Sequence, residues 1–97
     1  MPRLSVQRRS VLFAQTHVLQ RFGQSVRAHR ESRGLTIEEL AERAALDASY
    51  VGQVERGTRN LSLFNVWRLA CGLGLSVEQL MEGLPRTMRK PRAANLP

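Results

Sequence analysis

Apolar residues recur through the middle of this chain at intervals of three and four, the period of a helix with one buried face. Leu19, Phe22 and Val26, with Val18 alongside, mark the first such face, and Gly34 follows Arg33 as a stop. Thr36-Ile37-Glu38-Glu39 reads as a capping box, in which hydroxyl and carboxylate each satisfy a free amide at a helix start. It opens a short helix with Leu40, Ala41 and Ala44 on one side. Asp47 reads as the N-cap of the next helix, which Gly57 ends. Ser62 caps a further helix with Leu63, Val66, Leu69, Ala70 and Leu73 as its buried row and Gly74 as its stop. Ser76-Val77-Glu78-Gln79 is a second capping box, followed by Leu80, Met81 and Gly83. No stretch alternates with period two. The pattern predicts an all-α domain of about five short helices joined by short loops.

Outside that pattern the ends differ. Residues 1–17 form a basic N-terminal extension that reads either as an extra helix continuous with the first or as a loose arm. Residues 18–84 make up the helical domain. Residues 85–97, where Pro85, Pro91 and Pro97 alternate with basic and small residues, read as a disordered tail.

Between Ala44 and Ala48 only Ala45, Leu46 and Asp47 intervene. So tight a connection, with Leu46 as an apolar plug, sets two short helices at a steep angle, the helix-turn-helix arrangement. At 100° per residue Val51, Val54 and Glu55 point inward with Tyr50 at the margin, while Ser49, Gln53 and Arg56 sit opposite and Ala48 and Gly52 lie at the flank. A face of small and hydrogen-bonding groups can approach base edges: Gln53 suits adenine, Ser49 several edges, and the Ala48 methyl a thymine methyl. Arg56, Thr58, Arg59 and Asn60 are phosphate candidates, with Arg59 foremost.

Charge alters this picture less than its total suggests. The 97 residues carry a net +7. Arg3, Arg8, Arg9 and Arg21 lie in 1–21 and Arg86, Arg89, Lys90 and Arg92 in 84–97, leaving 22–83 with seven arginines against eight carboxylates. The basic ends would add salt-sensitive, sequence-blind affinity for an anionic partner; a DNA contact in the middle must rest on local geometry. Aromatic content of 5% is too low for a base-stacking platform. The lone Cys71 excludes a disulfide framework and a Cys-built zinc site. Two unpaired histidines, one cysteine and no convergent carboxylates assemble no catalytic set, so an enzyme is not expected, nor a metal, cofactor or small-molecule ligand. No membrane helix or signal peptide is evident, and the expected location is cytoplasmic, at the nucleoid.

The stretch from Phe22 to about Gly83 resembles the phage-repressor, XRE-type helix-turn-helix family. "LA..A.L", "ERG" and "SL..V..LA..LGLS" fall together in the family's order and spacing, and "YVGQVERGTRN" looks most similar to restriction–modification controller proteins. The resemblance implies a lambda-repressor-like five-helix fold, a homodimer and a palindromic double-stranded operator, with the Asp47–Arg56 helix in the major groove. It places base contacts on Ala48, Ser49 and Gln53, and backbone contacts on Thr36 and the loop after Gly57. It also implies an internal ion pair between Arg30 and Glu55 that clamps the first helix to the third. Ile37 stands where the family often has glutamine, removing one bridging hydrogen bond. Ala45 stands where it usually has glycine, at a cost of roughly 1–2 kcal/mol if left-handed. His29, where leucine is usual, reads as a packed or half-buried histidine.

Phe64 and Trp67 exceed what the buried row of their helix needs. They read as packed on the N-terminal segment or as a subunit contact joined by Leu75, Val77 and Met81. The function these observations predict is transcriptional regulation on duplex DNA, and the resemblance implies an autoregulating controller of a restriction–modification operon. The alternative is an antitoxin-like interaction module that also binds its own promoter.

Overall fold

The computed structural model describes residues 2–86, with side chains from Arg8 onward. Of the basic tail predicted at 85–97, only Pro85 and Arg86 fall within that range; Arg89, Lys90 and Arg92 lie outside the described residues.

Local capping sets most element boundaries. The Thr36 hydroxyl accepts from the Glu39 amide at 3.0 Å and the Glu39 carboxylate accepts from the Thr36 amide at 2.9 Å, starting α2 (Ile37–Ala44). Those two bonds hold the Glu39 carboxyl below the usual carboxylate range, the backbone bond first. Ser76 and Gln79 repeat the device at α5 (Val77–Leu80). Ser62 accepts from Asn65 to open α4 (Leu63–Leu73), which Gly74 closes at φ 71°. Asp47 occupies the N-cap position of α3 (Ala48–Glu55), but its side chain makes no capping bond, so the expected cap there is one of position only. α3 gives way at Arg56 to Gly57, whose φ of 76° turns the chain into the next loop. Ala45 is the one non-glycine residue with positive φ among those described, at φ 57° and ψ 44°.

The first element, α1 (Pro2–Ser32), is a single helix of 31 residues, roughly 46 Å at 1.5 Å per residue. No proline interrupts it after Pro2, where proline is tolerated. Its C-terminal half supplies Phe22 and Val26 to a core completed by Leu35, Leu40, Ala41 and Ala44, then Val51 and Val54, then Val66, Leu69, Ala70 and Leu73, and finally Leu80. All five helices contribute to it, α2 lying on α4 and α3 on α1. The α1–α3 contact is close because residue 23 is glycine. A Cβ there would stand 2.3 Å from the Val54 carbonyl oxygen and 2.6 Å from that of Glu55.

Leu63 corrects the sequence reading. It is 76% exposed instead of lying in the buried row of α4. As the first helical residue it sits about 70° from the mean direction of Val66, Leu69, Ala70 and Leu73, and so escapes the core.

No strand occurs among the described residues, and none of their helices is long and apolar enough to cross a membrane.

Candidate nucleic-acid interface

Three arginines brace the helices of the domain. Arg30 Nε and Nη2 donate to the two carboxylate oxygens of Glu55 at 2.6 and 2.9 Å, and its Nη1 donates to the Leu35 carbonyl at 2.8 Å. Both side chains are nearly enclosed, at 12% and 6% exposure. The hydrogen bonds to Glu55 raise the Arg30 pKa, so this charge persists at any workable pH. The pair fixes the C-terminal end of α3 to α1 and to the turn before α2. Arg33 Nε donates to the Leu73 carbonyl at 2.7 Å, tying the ends of α1 and α4 together.

Arg68 does the corresponding work at the turn. Its Nε donates to the Ala44 carbonyl at 3.1 Å, and its Nη2 donates to that of Ala45. The last carbonyls of α2, which helix geometry leaves open, thereby receive a cation where the helix dipole favours one. Sequence reasoning missed Arg68. The available signal was a helix ending in a left-handed alanine with carbonyls to satisfy, which requires a donor from elsewhere.

On this scaffold Val51, Gly52 and Val54 are buried while Ser49 is exposed and Gln53 partly exposed. Ser49 and Gln53 open into a shallow polar recess with Leu46, Asp47, Tyr50, Arg59 and Arg68. The Arg59 guanidinium lies 5.0 Å above the centre of the Tyr50 ring. The Tyr50 hydroxyl accepts from Asn65 Nδ2 at 3.0 Å, and Asn65 Oδ1 in turn accepts from Arg68 Nη1 at 3.3 Å. A continuous chain of contacts thus joins the loop arginine, α3, α4 and the turn. Tyr50, read from sequence as marginal, holds Arg59 beside the α3 face. Its offset from that face left no periodic signal.

The other candidates are placed less uniformly. Ala48 is half-buried and packs partly on the core. Arg56 is exposed and folds back over Gly52, where an added Cβ would meet its Nη1 at 3.3 Å. Gly52 is therefore covered, not bare as the wheel suggested. Thr58 is exposed, but its hydroxyl donates to the Gln53 carbonyl at 3.1 Å, leaving that proton unavailable to a phosphate in this conformation. Asn60 is exposed on the same loop. Thr36 is exposed at the α2 start, where its oxygen accepts from Glu39 and its own proton stays free.

A second exposed face lies on α4. Phe64 and Trp67 are 62% and 53% exposed, with rings stacked at 5.9 Å, and Leu63 and Cys71 are exposed on the same side. Met81 is also exposed, whereas Leu75 and Val77 are half spent on their own core.

The helix-turn-helix profile HTH_3 matches residues 26–80. The chain belongs to this helix-turn-helix family. It is a DNA-binding transcriptional regulator, with α2 and α3 as the motif and α3 as its second helix. Control protein C.BamHI of Bacillus amyloliquefaciens is 39% identical over 62 residues, 63% of this chain and 76% of its own. Control protein C.MunI of Mycoplasma sp is 33% identical over 67 residues, 68% of this chain and 90% of its own. Among solved structures, the restriction–modification controller protein C.AhdI of Aeromonas hydrophila superposes with a TM-score of 0.63 at 48% identity. That match takes in 64% of this chain and 94% of the other. The helix-turn-helix chain thus resembles restriction–modification controllers in sequence and in fold.

Proposed function

We propose that this regulator acts as a homodimer on a palindromic operator, one α3 in each of two major-groove half-sites about 34–36 Å apart or a multiple of that. We infer further that it serves as an autoregulating controller of a restriction–modification operon. The observation that carries the reading is the polar recess, into which Ser49 and Gln53 open with Arg59 held at its rim. Gln53 and Ser49 read base edges, with the Ala48 methyl beside them; Arg56, Arg59, Asn60 and the Thr36 hydroxyl grip the backbone. The exposed α4 strip of Phe64 and Trp67 joins the subunits, together with the exposed Met81 and the partly buried Leu75 and Val77. The chemistry is recognition without turnover, in the cytoplasm, and the controller role is supported by the likeness to C.BamHI, C.MunI and C.AhdI.

Selection from a pool of random 40-base-pair duplexes tests this. The wild type should enrich a two-fold symmetric consensus. Gln53→Ala should lose roughly 1–3 kcal/mol on that consensus and little on unselected DNA. An enriched site without symmetry, or equal losses on both kinds of DNA, overturns the proposal.

A further inference from the structure

The helix-turn-helix domain supplies little free positive charge. Among the described residues the ion pairs are Arg27–Glu31 and Arg30–Glu55, and Arg33 and Arg68 are committed to backbone carbonyls. Arg43, Arg56 and Arg59 are left, the last two on the reading side. The projecting half of α1 differs in this respect. Residues 1–30 contain no carboxylate, Glu31 being the first in the chain. Arg8 and Arg9 are exposed, and neither is in an ion pair with a described residue.

The fold aims this charge. Gly57, which opens the loop bearing Thr58, Arg59 and Asn60, lies against α1 so closely that a Cβ on it would sit 2.9 Å from the Gln20 Cα. α1 therefore passes the phosphate loop at Gln20 and continues beyond it. Arg9 and Thr16 lie eleven and four residues before Gln20. These spacings are close to whole turns, so both residues share the helix face that carries Gln20. At 1.5 Å per residue Arg9 stands about 17 Å further along, the length of roughly five base pairs.

We propose that the projecting half of α1 is a rigid basic arm that follows the phosphate backbone of duplex DNA outward from the α3–α4 loop. This rests on the DNA-binding reading of the domain and extends its footprint. The aligned match to C.AhdI, 94% of that chain against 64% of this one, leaves about a third of this chain over. A second copy of the chain fits the arm less well. Val11, Leu12 and Phe13 are all exposed, but they are consecutive and fan out at 100° intervals, and Val18 and Leu19, which align with Val11 and Leu12 two turns later, are already partly buried. Phe13 is also stacked on His17.

The test is a salt titration of binding to a random-sequence 40-base-pair duplex, comparing the full chain with Arg8→Gln/Arg9→Gln. The variant's log–log slope should be shallower by about 0.9 for each arginine seated on a phosphate, a total of roughly 1–2. Circular dichroism should show the same helix content. An unchanged slope overturns the arm and leaves α3 recognition standing, provided Gln53→Ala still separates the selected consensus from random DNA. A shift in the sedimentation of the free protein with no change of slope makes the arm a subunit contact, which also overturns it. A wild type that binds no duplex at any salt concentration removes both readings together.

Discussion

α3 and α4 each hold one face away from the core, and the two faces have opposite chemistry. α3 shows Ser49 and Gln53, with Arg56 laid over Gly52 and no bulky apolar group. α4 shows Leu63, Phe64 and Trp67, three of the largest exposed apolar groups in the described chain. Neighbouring helices of one small domain thus solve different problems. A face that must enter a groove is kept short and polar, because base edges are read by hydrogen bonds at close range. A face that gains by leaving water is kept wide and apolar, and exposing it costs about 25 cal/mol per Å² until a partner covers it. The comparison teaches that exposure alone does not define an interface; what is exposed selects the partner.

Both faces depend on one clamp, and removing it should have the largest effect. Arg30→Ala strands the Glu55 carboxylate in a nearly closed site and frees the Leu35 carbonyl. Loss of one member of a buried pair costs about 3–5 kcal/mol. Urea unfolding should show that loss, with DNA binding and self-association falling together as the domain unfolds. A variant of wild-type stability that fails only on DNA would move Arg30 from the scaffold to the interface.

Trp67→Glu separates the faces. A central aromatic in a subunit contact is worth about 2 kcal/mol or more, so the dimer dissociation constant measured by sedimentation equilibrium should rise by roughly thirtyfold. Ser49 and Gln53 are untouched, and a single α3 should keep its preference for a half-site. If dissociation is unchanged, the α4 strip is not the subunit contact and the contrast between the two faces loses its apolar half.

Much of this was legible in sequence because it is local. Thr36 with Glu39, Ser76 with Gln79, Ser62, Gly57 and Gly74 set boundaries through bonds reaching no more than four residues, and the periodic apolar row located Val51, Val54, Leu69 and Leu73. What escaped depends on distant partners. Arg68 matters because α2 happens to end beneath it, and Tyr50 because Arg59 and Asn65 converge on it from later in the chain. Leu63 was misplaced because a helix's first apolar residue satisfies the spacing rule from either side of the buried stripe. Residues 1–17 stayed open because their apolar positions keep no single face, so periodicity could not tell a helix continuous with the first from a loose arm.

The smallest predicted effect is also the most discriminating, since the same substitution should act with opposite sign on the two helices. Each helix contains one interior glycine. Relative to alanine, glycine costs a helix about 1 kcal/mol, so Gly→Ala is favourable where the new methyl meets nothing rigid. At Gly52 the nearest atom to an added Cβ is the Arg56 Nη1 at 3.3 Å, the far end of a side chain that can swing away. Gly52→Ala should therefore raise stability by up to about 1 kcal/mol while displacing Arg56. At Gly72 the added Cβ meets the Ala44 Cβ, the Ala44 amide nitrogen and Leu40 Cδ1, all at 3.2 Å, within the α2–α4 contact. Backbone there cannot yield without moving α2, the first helix of the motif. Overpacking of this kind costs about 1–3 kcal/mol and outweighs the propensity gain. Parallel urea melts of the two variants decide the matter. Stabilisation at 52 with destabilisation at 72 shows that α3 turns its glycine outward, beneath a movable arginine, whereas α4 uses its glycine to admit another helix. Destabilisation at both would mean that Gly52 answers to a backbone constraint and that the outer face of α3 is less free than its polar lining implies.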